Sequence, residues 1–210
     1  MDAQAKRNLL LRWILPASIA LLVLLLIRLF IIFPIRIGGD TMPAPYILGR
    51  IAWVSRVHTP LPGRVVLFHA HGYTADSSHP LQVVGRVVAA PGDKLYVDPA
   101  GLYINGRELP NHISQQMRYH LQLPHKGEEI LLNEVNLVAY REAIHQELGT
   151  RASFSSGALF VDGHRVSSYV FLRSYYWILA DKVSSGPDSR HIGIVSDKDV
   201  QGVFIWPSEH

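Results

Sequence analysis

Cysteine is absent from the 210 residues, which excludes thiolate catalysis, a disulfide framework and any cysteine-based metal site. The absence leaves the compartment open, because an exported domain can do without disulfides. Excess charge of one sign is also missing. Twenty Lys and Arg against 17 Asp and Glu leave a net charge of +3, and nothing in that balance suggests a nucleic-acid partner. The length allows one domain, with room for an insertion, plus a membrane segment.

Lys6, Arg7 and Arg12 precede an apolar stretch from Trp13 to Phe33 that only Pro16, Ser18 and Arg28 interrupt. About 20 helical residues cross the roughly 30 Å of a hydrocarbon core. A cleaved leader has a shorter core and a small-x-small exit, whereas this stretch runs on into Arg28-Leu29-Phe30-Ile31-Ile32-Phe33. Residues 1–34 are therefore expected to form a short cytoplasmic end and an uncleaved bilayer anchor through residues 13–33. The basic flank lies on the N-terminal side, which puts residues 35–210 outside the cytoplasm. Arg28 is expected to snorkel to the far interface.

Beyond residue 35 strand formers and Gly/Pro turns dominate, so the soluble part reads as mainly β. Tyr46–Val57 and Arg64–His69 read as strands around the turn-rich Pro60-Leu61-Pro62-Gly63. Val83–Ala90 meets the turn Pro91-Gly92-Asp93 and resumes at Lys94–Val97, a hairpin in which proline fixes φ and glycine admits φ > 0. Asn105-Gly106 and Asp162-Gly163 are type I′ hairpin signals. Residues 111–120 read as loop. Asn133–Leu148 reads as a helix with Asn133 as cap, Gly149 as stop and Leu137, Tyr140, Ile144 and Leu148 as its apolar stripe. His69 and His71 share one face of a strand, and His79 follows; with no carboxylate at ligand spacing they are expected to face solvent, so no metal and no cofactor are expected.

Four ordered stretches resemble the bacterial type I signal peptidase family, membrane-anchored peptidases with a Ser/Lys dyad. They are Gly39-Asp40-Thr41-Met42-Pro43, Arg86-Val87-Val88-Ala89-Ala90-Pro91-Gly92-Asp93, Leu102-Tyr103-Ile104-Asn105-Gly106, and Asp181 through Gly186-Pro187-Asp188-Ser189-Arg190-His191-Ile192-Gly193. The resemblance runs from Ile37 to Ser208. It implies an antiparallel β-fold of signal peptidase type with a small inserted α/β subdomain at approximately 100–170. It also implies roles by position. Thr41 stands at the nucleophile, Gly39 at the oxyanion-hole serine, Gly85 at the lysine base, and Gly186 at the serine that bonds that lysine, with Ser185 adjacent. Asp188 and Arg190 stand where the family organises the base's surroundings, and Arg86, Pro91, Gly92, Asp93 and Ser189 are scaffold positions.

A threonine hydroxyl can attack a carbonyl only when something accepts its proton. Gly85 has no side chain to do so, and Lys94, Lys126, Lys182 and Lys198 have no evident route to the position. The expectation is a catalytically inactive, membrane-anchored relative of these peptidases. Its partners would be signal peptides or preproteins, an active signal peptidase, or a secretion or pilus assembly. The alternatives are a working peptidase using Thr41 with Asp40 or a histidine as base, and a structural β domain without a cleft.

Overall fold

The computed structural model describes residues 10–71, 81–98, 101–109, 119–182 and 186–207. Lys6, Arg7, His79 with the rest of residues 72–80, Ser185 and Ser208 lie outside them, as do residues 111–118 of the expected loop. After one π-helical turn at Leu10–Ile14, helix α1 spans Leu15–Phe30 with Pro16 in its first turn, where a missing N–H is harmless. Leu11–Arg28 is long and apolar enough to cross a membrane, with mean hydropathy 2.0 and none of it buried. The apolar stretch runs to Phe33, whereas the helix ends at Phe30 and Ile32 opens a strand. Pro34 disfavours helical backbone at Phe33, and the β-branched Ile31 and Ile32 favour extension.

In chain order the strands are β1 (Ile32–Arg36), β2 (Ile51–Ser55), β3 (Val65–Ala70), β4 (Leu81–Ala89), β5 (Lys94–Asp98), β6 (Gly101–Ile104), β7 (Arg107–Leu109), β8 (Tyr119–Gln122) and β9 (Glu129–Leu131). Helix α2 (Glu134–Leu148) follows, then β10 (Ala152–Ser155), β11 (Ala158–Val161), β12 (His164–Val166), β13 (Ser168–Val170) and β14 (Tyr175–Leu179). The short helix α3 (Ser189–Ile192), β15 (Val195–Ser196) and β16 (Val200–Trp206) complete the described elements. The fold is mainly antiparallel β, as expected.

The main sheet runs β1-β2-β16-β3-β4-β14-β15. Proline in β1 is tolerated because this is an edge strand with one side unpaired. One face of the sheet packs Ile37, Met42, Tyr46, Ala52, Val54, Leu67 and Val84 together, and a second cluster holds Val66, Phe68, Val87, Tyr176, Ile178 and Val203. A four-stranded sheet in the order β7-β6-β5-β8 follows the Pro91-Gly92-Asp93 turn. Tyr119–Gln122, half of it expected as loop, pairs with β5 because Leu121 alternates into the core between polar neighbours. Asn105-Gly106 and Asp162-Gly163 take the positive φ that their hairpins require.

Helix α2 begins in a reciprocal cap. The Asn133 side chain accepts from the Val135 and Asn136 N–H groups (3.0 and 2.8 Å), and Asn136 Oδ1 accepts from Asn133 N–H (2.8 Å). Its expected stripe faces the core at Leu137, Tyr140 and Ile144, with Leu148 only partly buried. Tyr140, Phe171, Tyr175 and Tyr169 meet edge-to-face at centroid distances of 5.0 to 5.3 Å. Glu147 then ties the helix to the strands, accepting from the Tyr169 and Tyr175 hydroxyls at 2.8 and 2.7 Å.

Burial pushes the Tyr140 hydroxyl up from 10.0 to about 12, and burial with Glu147 beside them raises Tyr169 and Tyr175 as well. Folding thus favours the neutral phenol. Its contribution is full below pH 10 and is lost as pH rises towards 12, because the unfolded chain ionises first. A denaturant midpoint measured from pH 9 upward is expected to fall, and Tyr140→Phe is expected to flatten that fall. A midpoint independent of pH in this range would contradict the burial.

Candidate active site

Strand β1 leads into a segment closed on itself by Ile37 N–H to Arg50 O (3.0 Å) and Gly49 N–H to Ile37 O (2.8 Å). Ile37, Met42 and Tyr46 are buried against the sheet, at 1, 0 and 4% exposure. Their burial draws the intervening Thr41 down with them, to 4% exposure. The Gly38–Thr41 segment is thus anchored on both sides. Thr41 Oγ1 donates to the main-chain carbonyl of Val84 at 2.7 Å, and its own carbonyl accepts from Lys182 N–H at 3.0 Å. Asp40 is exposed and forms an ion pair with the Lys182 ammonium.

Gly85, the residue after Val84, lies buried in the middle of β4, opposite Val66 of β3. A Cβ built on it would fall 2.8 Å from Ile178 Cγ2, 3.1 Å from the Leu179 carbonyl oxygen and 3.2 Å from Phe68 Cε1. The space a lysine stem would need is already filled. Gly186 faces the same hydroxyl residue, since a Cβ there would stand 3.1 Å from Thr41 Cγ2, at a φ of +152° that strains any side chain. At Gly39 the corresponding contact is an ordinary 3.8 Å. Gly39 and Gly186 thus border the Thr41 side chain, and Gly85 follows the residue whose carbonyl the Thr41 hydroxyl bonds.

The charged boxes act as ties between backbones. Arg86 pairs side-on with Asp181 (3.1 and 2.7 Å) and donates to Gly63 O at 2.8 Å, joining β4, the end of β14 and the turn before β3. Pairing of β4 with β14 covers only Arg86 to Ala89, and β14 meets β15 only at Tyr175 and Tyr176. The free edge of β14 is finished by side chains instead. Ser189 Oγ accepts from Ile178 N–H (2.9 Å) and Asp188 Oδ2 from Ala180 N–H (3.0 Å). Asp188 is fully buried and also takes the Arg190 guanidinium, itself 8% exposed. At the Pro91-Gly92-Asp93 turn, Asp93 accepts from Ala90 N–H and the Asn105 amide, each at 2.7 Å, and Gly92 at φ +90° lies against His125. This box holds the junction between the two sheets.

Lys182 is the residue at the site whose place the sequence did not suggest. Only its position directly after Asp181, in the last box, hinted at it.

Removing one partner of a buried charged pair costs about 3–5 kcal/mol, and orphaning a buried N–H about 1–3 kcal/mol. Asp188→Ala is expected to lose stability in the first range and Ser189→Ala in the second, by chemical denaturation of the detergent-solubilised chain. Equal, negligible losses would contradict the edge-capping role.

The family model described as "Signal peptidase, peptidase S26" matches residues 10–208. Signal peptidase IB of Staphylococcus aureus is 23% identical over 205 residues, covering 94% of this chain and 90% of that one. Signal peptidase I of Streptococcus pneumoniae is 27% identical over 195 residues, with 88% and 87% covered. A crystal structure of a signal peptidase I from Enterococcus faecalis, at 16% identity, aligns over 70% of this chain and 97% of its own with a TM-score of 0.34, too low to argue from. With nearly its whole length matched, the chain belongs to the signal peptidase, peptidase S26, family.

Proposed function

We propose that this protein is a membrane-anchored signal peptidase I relative that does not cut peptides. Residues 1–34 hold it in the bacterial inner membrane with the N-terminus cytoplasmic, and residues 35–210, with an insertion at approximately 100–170, lie outside. The observation that carries the reading is the hydrogen bond from Thr41 Oγ1 to the Val84 carbonyl. An amide carbonyl is not a base at neutral pH, so the hydroxyl proton has nowhere to go during an attack. Among the described residues no carboxylate or basic nitrogen replaces it as that hydroxyl's hydrogen-bond partner. Ile178, Phe68 and Leu179 occupy the ground beside Gly85 from which the family's lysine would reach it.

The protein would act by holding extended segments of exported proteins beside the unused cleft, by strand addition, or by partnering an active signal peptidase or a secretion or pilus assembly. Exposed Ile51, Trp53 and Trp206 on neighbouring strands of the anchor-side sheet edge support a domain resting at the bilayer interface, where tryptophan is favoured. The working-peptidase alternative needs a base. Its first candidate, Asp40, is engaged by the Lys182 ammonium.

Incubating the detergent-solubilised chain with a preprotein bearing a small-x-small site is expected to give no cleavage, with wild type and Thr41→Ala alike. Cleavage that disappears in Thr41→Ala would overturn inactivity. A peptide carrying a signal-peptide C-region is expected to bind saturably, and linear, unsaturable uptake would instead favour a structural β domain.

The same geometry predicts what substitutions do to stability. Thr41→Val keeps the shape but leaves the Val84 carbonyl unpaired, a loss of about 1–3 kcal/mol, while Thr41→Ser is expected to stay within about 1 kcal/mol of wild type. Rebuilding the dyad with Thr41→Ser, Gly85→Lys and Gly186→Ser is expected to give no peptidase and to lower stability by about 1–3 kcal/mol through overpacking at residue 85. A rebuilt chain that cuts preprotein would show that the packing yields.

A further inference from the structure

On the side of the molecule where β3 ends, the fold assembles three metal-ligand side chains from the two ends of the sequence. His69 and His71 lie one dipeptide apart on one face of the strand's end, and Asp199 sits in the turn between β15 and β16. One ligand atom from each lies within 4.8 Å of the other two. His71 Nε2 and Asp199 Oδ1 are already in contact at 2.9 Å, and the two imidazoles stand edge-to-face at 6.3 Å between centroids.

The cluster is held from behind. Asp199 O accepts from His69 N–H at 3.0 Å, which locks the turn to the strand. Ser196 Oγ donates to Asp199 Oδ2 at 2.6 Å, orienting the carboxylate and leaving Oδ1 turned to the histidines. Outer hydrogen bonds of this kind fix first-row metal ligands in place. Beyond His71 and Asp199 opens a cavity of about 200 Å³, also lined by Glu147, Arg173 and Lys198. Glu147 is committed to the Tyr169 and Tyr175 hydroxyls, so it is not a fourth ligand.

We propose that His69, His71 and Asp199 bind one divalent transition-metal ion of the zinc type, with water from the cavity completing its coordination. Two imidazoles and one carboxylate suit such an ion and leave a position open. Bonds of about 2.0–2.2 Å place tetrahedral ligand atoms roughly 3.3–3.5 Å apart. The widest present separation, at most 4.8 Å, therefore closes by up to about 1.5 Å through ring and carboxylate rotation, while the 2.9 Å His71–Asp199 contact opens as both atoms turn to the metal. The ion would pin the end of β3 to the β15–β16 turn, away from the Thr41 site, so it is independent of whether the chain cuts peptides.

The test uses the full-length chain in detergent, its purification tag removed, stripped with chelator and dialysed. Co²⁺ titration followed by visible absorption, with Zn²⁺ competition, is expected to show one equivalent with the intense bands of four-coordinate cobalt. Zn²⁺ at a hundredfold excess over its Kd is expected to raise the unfolding temperature by roughly 5 °C. His71→Ala, which alters a part-exposed side chain, is expected to weaken binding at least tenfold, as is Asp199→Asn. His120→Ala, outside the cluster, is expected to leave it unchanged. Should Asp199→Asn fail to fold, His71→Ala alone decides. Absence of stoichiometric binding, or binding that survives His71→Ala undiminished, would overturn the proposal.

Discussion

A single hydrogen bond governs how this molecule is read: the buried Thr41 hydroxyl donates to the carbonyl of Val84, 2.7 Å away. The contact is local in space but joins residues 43 apart in sequence, and it does structural work at a place where the sheet is incomplete. Strand β14 covers β4 only as far as Arg86, so Val84 lies beyond its reach. A buried carbonyl left without a donor there would be unfavourable by about 1–3 kcal/mol. A threonine that satisfies it contributes to folding whether or not anything is ever cut.

That reasoning extends to the motifs carrying the family likeness. Asp188 and Ser189 receive the Ala180 and Ile178 N–H groups that no neighbouring strand takes. Arg190 neutralises Asp188, and Arg86 with Asp181 ties two strands to the turn at Gly63. Asp93 fixes the passage from one sheet to the other. Each box would be needed to fold this backbone even without a reaction to support. Their presence therefore bears on ancestry and architecture and says little about turnover. On the proposed reading the positions that bear on turnover include Gly39, Gly85 and Gly186, and as glycines they have no side chain to serve it.

Much of this was legible in the sequence because the signals are short-range. The apolar segment, the Asn105-Gly106 and Asp162-Gly163 turns, and the Asn133 cap with its Gly149 stop all depend on residues within a few positions of one another, and the fold realises each. The helix ends three residues before the apolar stretch does, because hydropathy does not register the conformational effect of Pro34. Contacts between distant residues were not legible. Nothing near Lys182 announces Asp40, 142 positions away, and nothing near His71 announces Asp199, 128 positions away. A search for ligands at regular spacing finds two histidines and stops, because the carboxylate is delivered by the pairing of β16 with β3.

The surroundings of Gly85 show that a glycine in a core does not mean room for a side chain. Cores close to densities near those of organic crystals, and a deleted stem leaves a cavity that neighbours tend to fill. Ile178 now stands where a Cβ would go, and Phe68 and the Leu179 carbonyl stand at its flanks. Both side chains belong to a cluster that also holds Val66, Val87 and Val203, so moving either disturbs the packing between β3, β4, β14 and β16. Opposite them, the Thr41 methyl closes on Gly186. A lysine at residue 85 would thus require coordinated change on three strands, and on the proposed reading the silence of this site is maintained by the core itself.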